Sequence, residues 1–411
     1  EQLWLADEST LPTAQKASLA ASKTIDTQLV SDGQTNYRFL TSSDRSAVTK
    51  LDQSIAEPAQ WREILVDLLD QGDLIPAGQD VTLAARLARR HHHVAGIIKA
   101  YKLRSQENFK MASRAESLAP DSPLADSLGI KFPIIQGAMP GITDLPSFAH
   151  EVARSGALPM IALGKLDVDE SRRRLEETKQ KIGTLPWGAA ISSQTPAELR
   201  DRQIDLILSI KPSIALLDGR HTDRFQSLEK ADIATFLHVD SLELLESLLE
   251  RGFRRFIIEG NETGGPLGPR SSFSLWQCAI DTLLETKLAR PDDVHVLFGG
   301  PIHDSLSSAM TAAAAAPLTA RGIRVGVQLG SAYFFTPESV STGIITKQYH
   351  QAILQGRQIA HLHTGGETTI RCVPSPFVDE FATRRTELIR RAESASAIER
   401  ELTQWADERL T

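Results

Sequence analysis

Cysteine, long apolar runs and surplus positive charge are all scarce in this chain of 411 residues. Its two cysteines, Cys278 and Cys372, cannot build a disulfide framework or a zinc finger, which favours a reducing, cytoplasmic setting. No run of about 18 apolar residues is present, so no membrane-spanning helix is predicted. The chain has 45 Lys and Arg and 52 Asp and Glu, a net charge of -7. A nucleic acid or an acidic membrane is therefore not expected as a partner.

The remaining composition is that of a globular protein, with 41% apolar and 24% charged residues, and the length favours two or three domains. Residues 1–35 are polar and lack periodicity, which predicts a flexible arm. Residues 36–120 carry apolar positions spaced three and four apart, which predicts a small helical domain. A barrel is predicted over 121–355. Two polar amphipathic segments predict a C-terminal helical extension over 356–411.

The barrel prediction rests on eight apolar runs that alternate with helical patterns. The runs lie at 132–136, 158–163, 187–191, 213–217, 233–239, 255–259, 294–298 and 323–329. Eight strand–helix pairs over about 230 residues are typical of the α/β class and of a closed (β/α)8 TIM barrel. The runs are almost continuously apolar, as parallel strands covered on both faces should be.

Glycine follows several of these runs, at the strand ends where barrels hold their active sites. Glycine lets a backbone N–H come close to a ligand, and the loops after strands seven and eight are the usual phosphate site. No GxGxxG segment follows an early strand, so we expect a mononucleotide such as FMN, or a sugar phosphate, rather than a dinucleotide module. The adjacent histidines at 91–93 would diverge on a helix, so no metal site is predicted.

Four motifs fall in order at the predicted strand ends. They are PIIQGAM at 133–139, EGNETGG at 259–265, FGGPIHD at 298–304 and QLGSAYFFTPES at 328–339. Over residues 128–377 the chain resembles the nitronate monooxygenase (2-nitropropane dioxygenase-like) FMN barrels. That family includes flavin-dependent enoyl-acyl-carrier-protein reductases and the reductase components of polyunsaturated fatty acid and polyketide synthases.

Three further segments resemble the barrels embedded in type I polyketide synthases, namely LHV at 237–239, GPRSSF at 268–273 and RCVPSPF at 371–377. A domain excised from such a synthase would explain why residue 1 is Glu rather than Met. The resemblance implies FMN as cofactor and NAD(P)H as hydride donor. It also implies an acyl thioester substrate, presented by an acyl carrier protein or by neighbouring synthase domains.

The resemblance also implies which residues hold the flavin. Along the isoalloxazine ring we expect Gly137, Ala138 and Met139, with Gly264 and Gly265 beside them in the strand-six loop. We expect Gly299, Gly300, Gly330 and Ser331 at the phosphate. Gln328 is expected at the ring or the ribityl chain.

One departure from the family concerns its catalytic base. The family has a His directly after the Gly-Gly of strand six, and this chain has Pro266 there. Proline cannot exchange a proton, so nitronate oxidation by the family's route lacks its base. The family often has an Asn near the end of strand three, and this chain has GAAI at 188–191.

Enoyl reduction needs a hydride and a proton, and the proton can come from another acid. Histidine suits proton transfer near neutrality, so His221, His238 and His303 at the strand ends are candidate donors. We therefore predict an FMN-dependent oxidoreductase of the enoyl reductase type. The alternatives are a catalytically degenerate barrel that serves as a structural or docking domain of a megasynthase, and nitronate monooxygenase-type oxidation. A sugar-phosphate lyase or isomerase is disfavoured, because this sequence has no well-placed lysine or carboxylate pair at its strand ends.

Overall fold

The computed structural model describes residues 3–21, 27–32, 36–41, 46–54, 58–262, 270–363, 369–391 and 394–410. The chain forms two compact units, Glu1–Met111 and Ala112–Thr411. The first unit contains a three-stranded antiparallel sheet in the order β1-β2-β3. In chain order its elements are α1 (Thr13–Ala21), β1 (Thr27–Ser31), β2 (Asn36–Thr41), α2 (Ser46–Gln53), α3 (Pro58–Gln71), β3 (Leu74–Pro76), α4 (Thr82–Arg90) and most of α5 (Val94–Ala115).

This sheet was not foreseen from the sequence. The segment predicted as a flexible arm contributes α1 and β1, and the domain predicted as helical contributes β2 and β3. Each strand is short and buries few side chains, among them Val30 and Phe39, which pack with Trp61 in one cluster. The signal of such strands is weak because each is short, and β3 pairs with β2 from more than 30 residues along the chain. The histidines at 91–93 lie between α4 and α5 rather than within one helix.

The second unit contains a (β/α)8 TIM barrel, as predicted. Its eight parallel strands lie in the order β4-β11-β10-β9-β8-β7-β6-β5. The strands are β4 (Ile134–Gln136), β5 (Met160–Ala162), β6 (Gly188–Ala190), β7 (Ile214–Asp218), β8 (Ala234–Val239), β9 (Arg255–Ile258), β10 (His295–Phe298) and β11 (Arg324–Leu329). A parallel bridge between Ile135 and Leu158 closes the barrel between β4 and β5. Leu158 N–H donates to Ile134 O at 3.0 Å, so the sheet leaves no open edge there.

Helices surround the barrel. The barrel helices are α6 (Pro123–Leu128), α7 (Pro146–Arg154), α8 (Val168–Ile182), α9 (Ala197–Ile210), α10 (Phe225–Lys230), α11 (Leu242–Glu250), α12 (Ser272–Glu285), α13 (Ser305–Ala320), α14 (Pro337–Ser341) and α15 (Lys347–Gln355). Of these, α8, α11, α13 and α15 begin at a residue whose side chain caps the helix. The carboxylate of Asp167 accepts from Glu170 N–H at the start of α8, and Asp304 with Ser307 forms a capping box on α13. Short 3-10 helices span Pro291–Asp293 and Ser331–Phe335.

The C-terminal extension contains a hairpin as well as the predicted helices. Its strands β12 (Ala360–His363) and β13 (Thr369–Cys372) pair antiparallel, and α16 (Pro376–Arg390) and α17 (Ala395–Leu410) follow. Leu362, Phe381 and Leu402 are buried together in a separate cluster. Across the ranges that the structure describes, no helix is both long and apolar enough to cross a membrane.

The amino-terminal end of the barrel is filled by α6. Leu124 and Leu128 of this helix pack with barrel-interior side chains such as Phe236 and Leu297. Gly326 of β11 makes this approach possible, because Leu124 lies against its backbone. The barrel is therefore a packed core at this end rather than a pore.

We predict that Gly326→Ala destabilises the barrel by about 1–3 kcal/mol, as overpacking does. A Cβ at this position would overlap the Leu124 side chain and lie 2.6 Å from Pro133 O, a backbone atom that cannot swing away. Urea denaturation measures the loss. Gly330→Ala is the matched control, because no described atom lies within 4 Å of its Cβ position. Equal stability of the two variants would contradict the packing described here.

Candidate active site

Polar side chains meet at the carboxyl ends of the barrel strands. Glu259 directly follows β9, and its carboxylate accepts a hydrogen bond from Gln328 Nε2 at 2.8 Å. The same carboxylate lies 3.4 Å from His238 Nε2 on β8. Only 15% of the Glu259 side chain and 25% of the His238 side chain are exposed, so these contacts are made largely out of water. The three side chains form the network that we call the mouth network.

Strand register explains why these residues meet. Phe298 of β10 pairs with Ile258 of β9 and with Val327 of β11. The next residue on each strand continues the row, so Gly299 lies between Glu259 and Gln328. A Cβ on Gly299 would lie 3.1 Å from Glu259 Cδ and 3.2 Å from Gln328 Nε2. The glycine therefore leaves the space across which the carboxylate and the amide bond to each other.

Glu259 controls the protonation of His238. Burial lowers the pKa of the imidazole, but the hydrogen bond and charge of Glu259, with the charges of Asp240 and Asp218, outweigh burial and raise the pKa above its ordinary value. The proton is thus held on His238 more firmly than on a solvated histidine. This gives the mouth network an acid whose proton is available near neutral pH.

Arg220 forms an ion-pair bridge beside the network. It lies in the turn after β7 and donates to Asp218 at 3.1 Å and to Asp240 at 2.6 Å. Both carboxylates are nearly buried, and both directly end an apolar strand. The arginine offsets two of the carboxylates at this end of the barrel and fixes the turn that carries His221.

The described residues that follow β9, 260–262, bond to residues 270 and 272 at the start of α12. Gly260 N–H donates to Ser272 Oγ at 2.8 Å, and Asn261 N–H donates to Arg270 O at 2.8 Å. The Glu262 carboxylate accepts from Ser272 N–H at 2.7 Å, at the start of α12. Glu262 therefore caps a helix.

The glycine-rich turn after β4 and the residue Gly300 after β10 were also predicted to contact the flavin. Gly137 N–H donates to Leu329 O at 2.7 Å, and Met139 N–H donates to Thr143 Oγ1 at 2.8 Å, so the 137–139 turn, which includes Ala138, is fixed beside β11. Gly300 has φ +129°, and a Cβ there would overlap Ser272. The predicted residues Gly264 and Gly265, with Pro266, lie outside the described residues.

The structure brings together only some of the predicted site residues. His238 and Gln328 share Glu259, whereas His303 is 66% exposed and lies 3.7 Å from Asp304 at the start of α13. His221 lies in the turn held by Arg220, with its N–H donating to Asp218 O. Their roles as proton donors stay predictions.

Sequence reasoning missed the acidic and basic members of the site, Asp218, Arg220, Asp240 and Glu259. A signal was available, because three successive apolar strands each run directly into a carboxylate: LLD at 216–218, HVD at 238–240 and IIE at 257–259. A charge that ends a buried strand needs a partner, and this need points to the mouth of the barrel.

Comparison with known proteins supports the fold. No protein-family model and no curated protein matches the chain. The solved structure of FabK from Thermotoga maritima is similar with a TM-score of 0.53 and 23% identity, covering 67% of this chain and 86% of that chain. A nitroalkane oxidase from Streptomyces ansochromogenes has a TM-score of 0.49 and 17% identity, covering 63% and 81%. The FabK likeness shows a shared fold, which is the fold that the motif resemblance implied.

The strand ends have features that fit a flavin mononucleotide. Gln328 Oε1 is buried and has no hydrogen-bond partner among the described residues. Its amide is thus half satisfied, with an acceptor left for a ligand N–H. Space is open at Gly330, and the 3-10 helix that starts at Ser331 offers first-turn N–H groups that a helix cannot use itself.

We predict that Glu259→Gln lowers the pKa of His238, because burial remains while the carboxylate charge is lost. An NMR titration of the imidazole measures the change. Since the raised pKa favours the protonated folded state, the pair stabilises the fold below the ordinary histidine pKa of about 6.5. That stabilisation is lost as pH rises through the higher folded pKa.

The matched control is Glu262→Gln, which removes a neighbouring carboxylate that contacts Ser272 instead of His238. The His238 pKa should be unchanged in this variant. A His238 titration that is the same in Glu259→Gln and in the unaltered protein would contradict the network.

Proposed function

We propose that this protein is an FMN-dependent oxidoreductase that reduces the carbon–carbon double bond of an enoyl thioester, with NAD(P)H as the hydride donor. The observation that supports it best is the mouth network, in which Glu259 holds a proton on His238 beside the half-satisfied Gln328. The barrel fold shared with FabK and the motif order along the strand ends agree with this assignment.

The flavin phosphate is assigned to Gly330 and Ser331 rather than to Gly300. At Gly300 the Glu262 carboxylate oxygen lies 3.6 Å from the Cβ position, and a negative charge there would repel a phosphate. At Gly330 the space is open, and helix-start N–H groups favour an anion. Gln328 would hold the ring or ribityl chain through its unpartnered Oε1.

The reduction adds a hydride to one alkene carbon and a proton to the other. When bound, FMN supplies the hydride chemistry, with electrons that come from NAD(P)H. The chain supplies the proton and its position. His238 holds the proton at Nε2, next to the Glu259 carboxylate, and would deliver it to the carbon beside the thioester carbonyl. Glu259 and Gln328 then keep the imidazole oriented, since both belong to rigid strand ends.

The substrate is proposed to arrive as an acyl chain on a carrier protein or on a neighbouring synthase domain. Support comes from the sequence, where the segments at 237–239, 268–273 and 371–377 resemble the barrels of polyketide synthases. His238 is part of the first of these segments. One of the three segments that resemble this subgroup thus carries the proposed proton donor.

We predict that Gly330→Asp weakens FMN binding roughly tenfold or more through charge repulsion of the phosphate. Gly330→Asn is the control, because it has nearly the same shape without the charge. Flavin fluorescence quenching on titration with FMN measures both affinities. If Gly330→Asp and Gly330→Asn bind FMN with equal affinity, the assignment of the phosphate to Gly330 is wrong. Gly300 is a poorer test site, because any side chain there overlaps Ser272.

We predict that His238→Gln lowers turnover of an enoyl thioester with NAD(P)H by roughly a hundredfold, within the range for loss of a general acid. FMN affinity should change little, so the loss is in kcat. In the unaltered protein the rate should fall as pH rises through the raised pKa of His238, since the protonated form is the donor. His150→Gln on α7, a histidine paired with Glu151 outside the barrel mouth, is the control.

A second candidate function is a barrel without catalysis that docks other synthase domains. Pro266, at the place of the family's histidine, is the observation that favours it. A protein that binds no FMN and leaves NAD(P)H unoxidised with enoyl thioesters would support this candidate. If His238→Gln binds FMN and turns over the enoyl thioester at the full rate, the assignment as an oxidoreductase stands, and His238 is not the proton donor.

A further inference from the structure

A cavity of about 370 Å³ lies at the amino-terminal end of the barrel, opposite the mouth network. Its walls come from α6, α10 and the first residues of β8 to β11. The lining residues that matter here are Ser127, Arg254, Arg255, His295, Asp293 and Arg324. The volume lies in the range of small-molecule sites.

Strand register brings basic side chains to one level in this cavity. His295 pairs with Arg255 of β9 on one side and with Arg324 of β11 on the other. Side chains of register partners stand on the same face of a sheet. The row Arg255–His295–Arg324 is therefore a built feature of the barrel end and does not depend on flexible loops.

His295 is a neutral acceptor within this row. Burial lowers its pKa to about 4, and the charges of Arg255 and Arg324 act in the same direction. Its Nδ1 lies 3.0 Å from Asp293 O and must donate to that carbonyl. Its Nε2 then accepts from Arg324 at 3.3 Å, which orients Arg324 without cancelling its charge. The same Nε2 lies 3.2 Å from Ser127 Oγ, whose hydroxyl donates to Leu124 O at 2.8 Å.

Positive charge in the cavity exceeds the carboxylates that could balance it. Arg255 pairs with Glu229 at 2.7 Å. Arg254 donates to the carbonyls of Leu249 and Phe253. Over the described part of the chain, neither Arg254 nor Arg324 forms an ion pair with a carboxylate. Two half-buried guanidinium groups thus face one cavity with donors to spare.

We infer that this cavity binds the phosphate group of a small phosphate monoester. The planar guanidinium fork matches phosphate oxygens, and two such groups suit a dianion. The cavity has more room than a phosphate ion alone fills. The site is separate from the proposed flavin site, since the two lie at opposite ends of the strands.

Calorimetric titration of the full chain with glycerol 3-phosphate and with inorganic phosphate tests the inference, with sodium chloride at matched ionic strength as the blank. We expect saturable binding of both, tighter for the ester. Arg324→Gln should weaken binding roughly tenfold or more, because a charge-assisted hydrogen bond is lost. Arg172→Gln, an exposed arginine on α8 paired with Glu176, should leave the affinity unchanged.

An NMR readout on the unaltered protein covers the case in which Arg324→Gln does not fold. Addition of glycerol 3-phosphate should shift the His295 imidazole signals and leave those of His238 in place. No saturable binding, or the same affinity in Arg324→Gln, would overturn the site. If inorganic phosphate binds and glycerol 3-phosphate does not, the assignment of a phosphate monoester as the ligand is wrong. Affinity lost in Gly330→Asp but kept in Arg324→Gln would place the phosphate at the barrel mouth and overturn the assignment, whatever the outcome for FMN.

Discussion

The in-register parallel pairing of the barrel strands is the constraint on which the rest of the structure depends. It aligns Glu259, Gly299 and Gln328 in one row at the carboxyl end and Arg255, His295 and Arg324 in another at the amino end. A shift of one residue in any strand would turn these side chains to the opposite face. The two candidate sites are thus consequences of the same hydrogen-bond ladder that closes the barrel.

Burial of charge shapes the carboxyl end. Asp218, Asp240 and Glu259 end their strands close to a packed interior, where an unpaired carboxylate is costly. Arg220 offsets the two aspartates, while His238 and Gln328 serve Glu259. After these pairings the buried Gln328 Oε1 has no hydrogen-bond partner among the described residues. This acceptor lies in the mouth network, where a ligand is proposed.

The two barrel ends differ in charge, and this suits them to different ligands. Carboxylates and a proton-holding histidine gather at the carboxyl end, where a proton donor is needed. Arginines and a neutral histidine gather at the amino end, where α6 provides the floor of the cavity. The two ends also shift the pKa of a histidine in opposite directions. The pKa of His238 is raised by the Glu259 carboxylate against the effect of burial. The pKa of His295 is lowered by burial, and the charges of Arg255 and Arg324 act in the same direction.

The sequence by itself determined the barrel, because strands buried on both faces must be apolar and the helices between them must be amphipathic. The eight runs therefore coincide with the strands to within about two residues, the usual ambiguity of element ends. The short strands β1, β2, β3, β12 and β13 were missed, because runs of three to six residues give only a weak pattern. The glycine-rich strand ends, His238 and Gln328 were named from the sequence, but Glu259, which both of these side chains contact, was not. Only tertiary structure decided that Glu259 meets Gln328, 69 residues later, and His238, because such contacts follow from barrel closure and register, which no local pattern encodes.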